Sequence, residues 1–321
     1  MTSDNSQKTL IVGAGVIGLY LAWQLGLKGH KVFVYEKRSK EGSRLKACST
    51  LVSERIKDSI PLPDGCIENV ISGCRIHFRG KTIQLNFKPH HLVLSKPMLL
   101  DKLLELALGL GAEVFFEKDA KELPQGFDKI IGCDGALSNV RKNLGLPNPA
   151  FRLGVQFFQE AQDSSSFVET WPTRNGFCWR IPKGGETEWG ILESPETALS
   201  QLKQFLKDRD IPFGGDSKFP AALVPSGLVL PKKDGEATLC GDAAGLAKPW
   251  SGGGLIWGLK AANILLKDFP DFGSYRDETE SFFYPKILKG RVSNFLVHTV
   301  GRAVPFILPG EIDYDNDFPV L

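Results

Sequence analysis

Lys8-Thr9-Leu10-Ile11-Val12 runs straight into Gly13-Ala14-Gly15-Val16-Ile17-Gly18, and no other stretch constrains the chain as strongly. The first piece reads as a short buried strand. Apolar residues at helical spacing follow the glycines (Ile17, Leu21, Leu25), and Gly29 supplies a C-terminal cap. Lys31 to Glu36 (KVFVYE), rich in β-branched and aromatic residues, reads as a second strand. Strand, glycine turn, helix and strand in this order open a Rossmann-type parallel sheet. In such a turn Gly13 permits the tight bend. Gly15 lets the backbone approach a pyrophosphate, and Gly18 lets the helix pack closely on the strand. The helix start turns unpaired N–H groups and a favourable dipole end toward the phosphates. Glu36, 18 residues beyond Gly18, is placed to accept hydrogen bonds from ribose hydroxyls and to repel a 2′-phosphate. The expected ligand is a dinucleotide with an unphosphorylated adenosine, FAD or NAD.

Several other functions are set aside by what the chain lacks. Among 321 residues, 39 Lys and Arg balance 37 Asp and Glu, a net charge of +2, so there is no overall pull toward nucleic acid. At 24% charged and 42% apolar the composition is that of a globular protein. No run of 18 or more residues is uniformly apolar, and the start, MTSDNSQKTL, has no apolar core of a secretory signal. Six cysteines form no CxxC pair, so the expectation is a cytoplasmic protein with free thiols. Five histidines form no HExxH and no zinc spacing with the cysteines, so no metal is expected. GxSxG and GxxxxGK[ST] are both missing, against serine hydrolase and P-loop readings.

Beyond the first unit the elements alternate. Residues 67–94 contain short alternating runs that suggest an antiparallel excursion, and Pro97 to Leu108 reads as an amphipathic helix. Strands are expected from Gly111 and over Asp128 to Gly132. Residues 151–193 alternate again, Pro195 to Asp208 reads as helix, and Ala237 to Cys240 is a buried strand before a helix over Leu255 to Leu266. This order predicts an α/β fold: a discontinuous Rossmann-type domain carrying an inserted, mainly antiparallel β-sheet domain. The expected boundaries are 1–66, 95–150 and 234–290 for the first domain, 67–94 and 151–233 for the inserted substrate domain, and 291–321 for a C-terminal tail.

Two more motifs sit where strands meet helices. Gly132-Cys133-Asp134-Gly135-Ala136-Leu137-Ser138-Asn139-Val140-Arg141 follows an apolar strand and starts a helix, with Ser138 as its N-cap. Cys240-Gly241-Asp242-Ala243-Ala244-Gly245 runs on to Pro249 and Ser251-Gly252-Gly253-Gly254. Asp242 is expected at the end of a buried strand, where a carboxylate is costly unless hydrogen-bonded. A ribityl hydroxyl chain would supply that bond. The glycine run opens a helix whose first amides face a flavin carbonyl or the pyrophosphate.

The three blocks together resemble the FAD-dependent oxidoreductases built like para-hydroxybenzoate hydroxylase. Asp134, Gly135, Ser138 and Arg141 match the DGxxSxxR of that superfamily's hydroxylases. The third block is more similar to the geranylgeranyl reductase family, which saturates isoprenoid double bonds. Hydroxylases read GDAAH, and here Gly245 stands in the histidine's place. Phe177-Cys178-Trp179-Arg180-Ile181-Pro182 resembles that family's aromatic-x-Trp-x-Phe-Pro substrate motif, and Lys46-Ala47-Cys48-Ser49 resembles its cysteine loop. Ser49-Thr50 departs from the family's Gly-Gly, and Lys96 stands where an arginine is common. About fifty residues remain after the last motif helix to close the substrate cavity.

The resemblance implies FAD, with Ile17, Glu36, Lys96 and Ala120, the last on the strand after Val114, toward the adenosine. Cys48, Ser49, Asp242, Gly254 and Leu255 fall toward the flavin, and Cys48 is the candidate catalytic residue. Phe177, Trp179 and Ile181 share one sheet face by period-two spacing and either line a prenyl tunnel or form sheet core. The implied reaction is hydride transfer to an isoprenoid alkene. Monooxygenation of an aromatic or lipid substrate and flavin binding without turnover stand as alternatives. The electron donor, NAD(P)H or a ferredoxin, has no second GxGxxG to mark it. A lipid substrate and the apolar segment Val300 to Pro309 admit peripheral membrane contact, with a packed tail as the other reading of that segment.

Overall fold

The structure is a computed structural model that describes residues 6–44, 47–232, 235–301 and 303–318. The chain opens with β1 (Lys8–Val12), α1 (Val16–Leu27), β2 (Lys31–Tyr35), α2 (Lys40–Arg44) and β3 (Leu51–Ser53). The hairpin β4 (Ile67–Phe78) and β5 (Lys81–Leu94) follows, then α3 (Lys96–Gly109), β6 (Glu113–Phe115), β7 (Lys129–Gly132) and α4 (Asn139–Asn143). Next come β8 (Ala150–Gln159), β9 (Phe167–Pro172), β10 (Phe177–Pro182), β11 (Thr187–Glu193), α5 (Ala198–Lys207) and β12 (Ala221–Ser226). The chain then forms β13 (Ala237–Leu239), α6 (Leu255–Asp268), α7 (Phe272–Leu296) and β14 (Glu311–Tyr314).

Two sheets organise these elements. The first is parallel, in the order β13-β7-β1-β2-β6. Leu10, Ile11 and Val12 of β1, its central strand, are buried because parallel strands are covered on both faces. Gly29, at φ +81°, ends α1 and returns the chain to β2, as its capping role requires. The second sheet has the order β12-β8-β11-β10-β9-β4-β5-β14, with β3 paired to β5. It is antiparallel except for β4 with β9 and β5 with β14. Two of its short strands lie outside 67–94 and 151–233: β3 comes from the cysteine-loop side and β14 from the C-terminal residues. The loops at the carboxyl ends of the parallel strands face the second sheet across one cavity.

Candidate functional site: a dinucleotide cleft joined to an apolar cavity

The glycine turn is sterically determined. Gly13 sits at φ +109°, and a Cβ there would lie 2.4 Å from the Cys133 carbonyl oxygen. A Cβ on Gly18 would lie 1.9 Å from the Gly13 oxygen, so Gly18 sets the closeness of helix and turn and does not itself line the cavity. Around Gly15 nothing lies within 4 Å of such an atom: this edge of the turn is open to the cavity. Gly15 caps α1 with no side chain, so the first-turn amides are left for an anion. Glu36 follows β2 directly and is buried. One carboxylate oxygen accepts the Ala14 N–H and the other the Arg38 N–H, both at 3.0 Å. An ionised carboxylate has about four acceptor positions, so each oxygen keeps one for a ribose hydroxyl.

The second and third motifs are built around buried polar contacts. Asp134 Oδ2 accepts the Asn139 and Val140 N–H groups at 2.6 and 3.2 Å, while its Oδ1 is buried without a partner on the cavity wall. Ser138 caps α4 by accepting the Arg141 N–H at 2.9 Å. The Arg141 guanidinium, 1% exposed, donates to the Ala136 and Ala243 carbonyls and to Asn148. It therefore clips the second motif to the third.

Gly245 sits at φ +78°, and a Cβ there would lie 1.8 Å from the Gly227 oxygen. No side chain fits this backbone, and the glycine in place of the histidine of GDAAH matches it.

Three expectations change in position. Asp242 does not end a strand: β13 stops at Leu239, and Asp242 stands half-buried in the 3₁₀ turn Gly241–Ala244, facing the cavity. The tight αL exit at Gly245 consumes residues that a strand would have used. Ala120 is in a loop, since β6 ends at Phe115, yet it is buried and lines the cavity. Lys96 begins α3 and donates to the Ser43 carbonyl at 3.2 Å while lining the cavity beside Lys118 and Arg38, two cations that have no motif to announce them. Lys46 lies outside the described residues.

One cavity of about 1160 Å³ joins Gly13, Gly15, Ile17 and Glu36 at one end to Phe177, Trp179 and Ile181 at the other. Cys48, Ser49, Asp242, Gly254 and Leu255 lie on its wall between them. Its volume exceeds the roughly 300–1,000 Å³ usual for one small ligand, so it has room for a dinucleotide and a second molecule. Open Gly15, the unpartnered Asp134 oxygen and the free positions on Glu36 fit FAD. Trp179 is 8% exposed, and a Cβ on Gly190 would meet its ring at 2.2 Å, so the indole lies flat on that glycine. Its Nε1 donates at 2.9 Å to Glu188, a fully buried acid in β11. Glu188 carries a sequence signal in hindsight, as an acid in a strand whose seven residues are all buried.

Cys48 is the exposed free thiol, and Cys66, Cys74, Cys178 and Cys240 are buried. Burial pushes Cys74, Cys178 and Cys240 up to about 12, which leaves them unreactive.

The C-terminal residues close the cavity. β14 lies parallel to β5, and Leu308, Ile312, Tyr314, Asn316 and Phe318 line the wall. Arg55 grips Asp315 with two bonds of 2.8 Å, buried Lys248 and Asp317 pair at 3.1 Å, and Trp257 Nε1 donates to the Asp317 carbonyl at 2.9 Å. None of this is local in sequence, so no motif foretells it.

The NAD(P)-binding Rossmann-like domain model matches residues 11–49. Digeranylgeranylglycerophospholipid reductase 3 of Methanosphaera stadtmanae is 24% identical over 79% of this chain and 75% of its own length. Kynurenine 3-monooxygenase of Flavobacterium psychrophilum is 30% identical over 44% of this chain and 38% of its own. Among solved structures, a geranylgeranyl bacteriochlorophyll reductase-like protein from Thermoplasma acidophilum superposes with a TM-score of 0.75 at 20% identity, covering 92% of this chain and 88% of that one. A probable FAD-dependent monooxygenase from Pseudomonas aeruginosa gives 0.70 at 17%, covering 95% and 100%.

Fold and cleft define a class: the chain has a Rossmann-like dinucleotide-binding unit and the fold of FAD-dependent oxidoreductases, to which it is similar. Within that class it resembles the geranylgeranyl reductases, with flavin monooxygenases as further neighbours. FAD is the cofactor on which motifs, cleft and relatives agree.

Proposed function

We propose that the protein is a flavin-dependent reductase that saturates a carbon–carbon double bond of an isoprenoid lipid. The observation that carries this reading is the continuity of the cavity from the dinucleotide turns to the apolar face of Phe177, Trp179 and Ile181. The exclusion of a histidine at Gly245 supports the reductase over the hydroxylase branch.

In this reading FAD, once reduced, supplies a hydride, and the chain supplies position and dryness. Glu36 and the Gly13–Gly18 turn hold the adenosine end, Lys96 and Ala120 flank it, and Asp134 faces the linker. Asp242, Gly254, Leu255, Cys48 and Ser49 surround the flavin end. Trp179, fixed by Gly190 and Glu188, aligns a prenyl chain along its ring. The electron donor, NAD(P)H or a ferredoxin, approaches from outside.

The test is anaerobic reoxidation of the reduced protein by prenyl alkenes of increasing length, with product mass. Each buried CH₂ contributes ~0.8 kcal/mol, so affinity rises with length until the cavity is full. Oxygen-coupled hydroxylation of an aromatic substrate, with no length dependence, favours the monooxygenase instead.

The same reading places the protein in the cytoplasm against an anionic lipid surface. No helix among the described residues is long and apolar enough to cross a membrane. The outward face of α7 exposes Tyr284, Leu288, Val292 and Phe295, and Phe306 and Ile307 continue it beyond the helix. Residues 281–310 hold Lys286, Lys289, Arg291 and Arg302 and no acid. That combination is the pattern of a surface-lying helix on anionic lipid. Lys289 and Ser293 of the same helix line the cavity, so substrate would enter beside the bilayer. Cosedimentation with anionic but not zwitterionic vesicles, lost in Leu288→Glu, checks it; a stable dimer with no vesicle binding refutes it.

A further inference from the structure

Saturating an alkene needs a proton as well as a hydride, and the cavity wall contains one hydroxyl wired to a buried acid. Glu188 is 0% exposed. Its Oε1 accepts three hydrogens: from Trp179 Nε1 at 2.9 Å, from Gln156 Nε2 at 2.8 Å and from the Ser49 hydroxyl. Its Oε2 is buried and has no hydrogen-bond partner. Lys183 Nζ lies 3.9 Å from that oxygen and 3.4 Å from Glu68, whose side chain is 32% exposed. Lys183 also reaches the Ser49 carbonyl at 3.4 Å. Ser49, Gln156 and Trp179 line the cavity, whereas Glu188, Lys183 and Glu68 lie behind them. Glu68, Lys183, Glu188 and Ser49 thus form a file from solvent to cavity. Glu186, on the turn between β10 and β11, faces the same charges, and burial holds its carboxyl above the usual range.

We propose that Ser49 delivers the substrate proton and that Glu188 refills it from solvent through Lys183 and Glu68. This rests on the alkene-reductase reading. One alkene carbon takes the hydride of the reduced flavin. The π pair takes the Ser49 proton at the other carbon as the Ser49 O–H bond breaks. For this a water-derived proton first reaches Glu188 through Lys183 and Glu68. Glu188 then donates to the Ser49 oxygen, and the Ser49 hydrogen turns from Glu188 to the alkene. The Glu188 proton passes to Ser49 as the Ser49 O–H bond breaks, which leaves Glu188 the acceptor seen in the structure. The net change is addition of H⁻ and H⁺ across the double bond. Ser49 touches the substrate; Glu188 acts through it as a positioning and proton-supplying residue. Ser49 is also the place where this chain departs from the glycine of the family's cysteine loop.

The experiment has two arms on the FAD-loaded protein. In single turnovers with a prenyl alkene, Ser49→Ala and Glu188→Gln slow flavin reoxidation tenfold or more. FAD content and reduction by dithionite stay unchanged in Glu188→Gln, and product formed in D₂O carries solvent deuterium at the carbon that takes the proton. Acetic acid, a small proton donor that enters the cavity, restores part of the rate in Glu188→Gln, which a structural defect would not allow. Wild-type rates in both variants, no rescue, or a loss confined to Cys48→Ala overturn the relay.

The second arm needs no alkene. A pH-difference infrared spectrum of wild type contains a carboxyl band that Glu188→Gln removes and whose exchange Lys183→Met slows. If no prenyl alkene reoxidises the wild type, the isoprenoid reading fails, and this band alone decides: its absence overturns the relay, its presence with slowed exchange supports it.

Discussion

Arg141 offers the sharpest test of how the cofactor cleft is held together. Arg141→Met keeps an apolar stem of similar length and removes the guanidinium. Three acceptors lose their donors: the carbonyls of Ala136 and Ala243, at 2.6 and 2.9 Å, and Asn148 Oδ1 at 2.8 Å. A buried acceptor left unpaired costs ~1–3 kcal/mol, so the two carbonyls together cost about 2–6 kcal/mol, while exposed Asn148 is rehydrated. Against this, methionine no longer requires a charged group to be desolvated, and Arg141 Nε already lacks a partner. The expected net loss is about 3 kcal/mol, below the ~5–15 kcal/mol of a typical domain, so the variant still folds.

The clip joins the turn at Ala136 to the turn at Ala243, and both belong to cofactor motifs. FAD affinity should fall about tenfold, or about 1.4 kcal/mol. Urea unfolding of the apoprotein and a fluorescence titration with FAD measure the two effects. A stability loss under about 1 kcal/mol with unchanged FAD affinity would refute the clip.

Three further outcomes follow from single sites. Glu36→Ala removes a charged acceptor worth roughly 1.5–3 kcal/mol and should raise the FAD dissociation constant tenfold or more by equilibrium titration. Unchanged affinity makes Glu36 a structural prop for Ala14 and Arg38 only. Gly245→Ala forces a Cβ into the left-handed region and onto the Gly227 carbonyl, so a melting curve should register a loss of at least about 2 kcal/mol. His91, buried and close to the Lys248 ammonium, is pushed down to about 4. Its unfolded form binds a proton near pH 6.5, so stability falls as pH drops from 6.5 to 4, by up to about 3 kcal/mol. Asp317 is buried, but the Lys248 charge holds its carboxyl below the usual range, so its contribution is also lost in acid. A His91→Phe melting temperature should therefore vary less over pH 4–6.5 than the wild type's; identical curves would remove His91 from the account.

The parts of the site legible in the sequence share one property: they are local. The turn from Gly13 to Gly18 depends on neighbours within a few residues, apart from the Cys133 carbonyl, and its glycines match their geometry one by one. Ser138 caps the helix that begins at the next residue, and Gly29 ends the helix just before it. Phe177, Trp179 and Ile181 share a face because a strand alternates. Even the glycine at 245 was visible as a departure, although its cause, the Gly227 carbonyl across a turn, was not. Asp242 and Ala120 read as strand residues in the sequence because apolar runs do not mark where pairing stops.

Residue order by itself determined a dinucleotide-binding β–α–β unit, its acid, and the two later turns that line the same cavity, because these are sealed by backbone sterics and short-range hydrogen bonds. Tertiary structure alone decided that the apolar face opens into the same cavity as those turns, that Glu188 stands behind Ser49, 139 residues away, and that β14 with Asp315 and Asp317 closes the wall against Arg55 and Lys248. Those contacts join segments far apart in the chain, and their energy comes from removing charges and rings from water together, a term that exists only after the chain has folded.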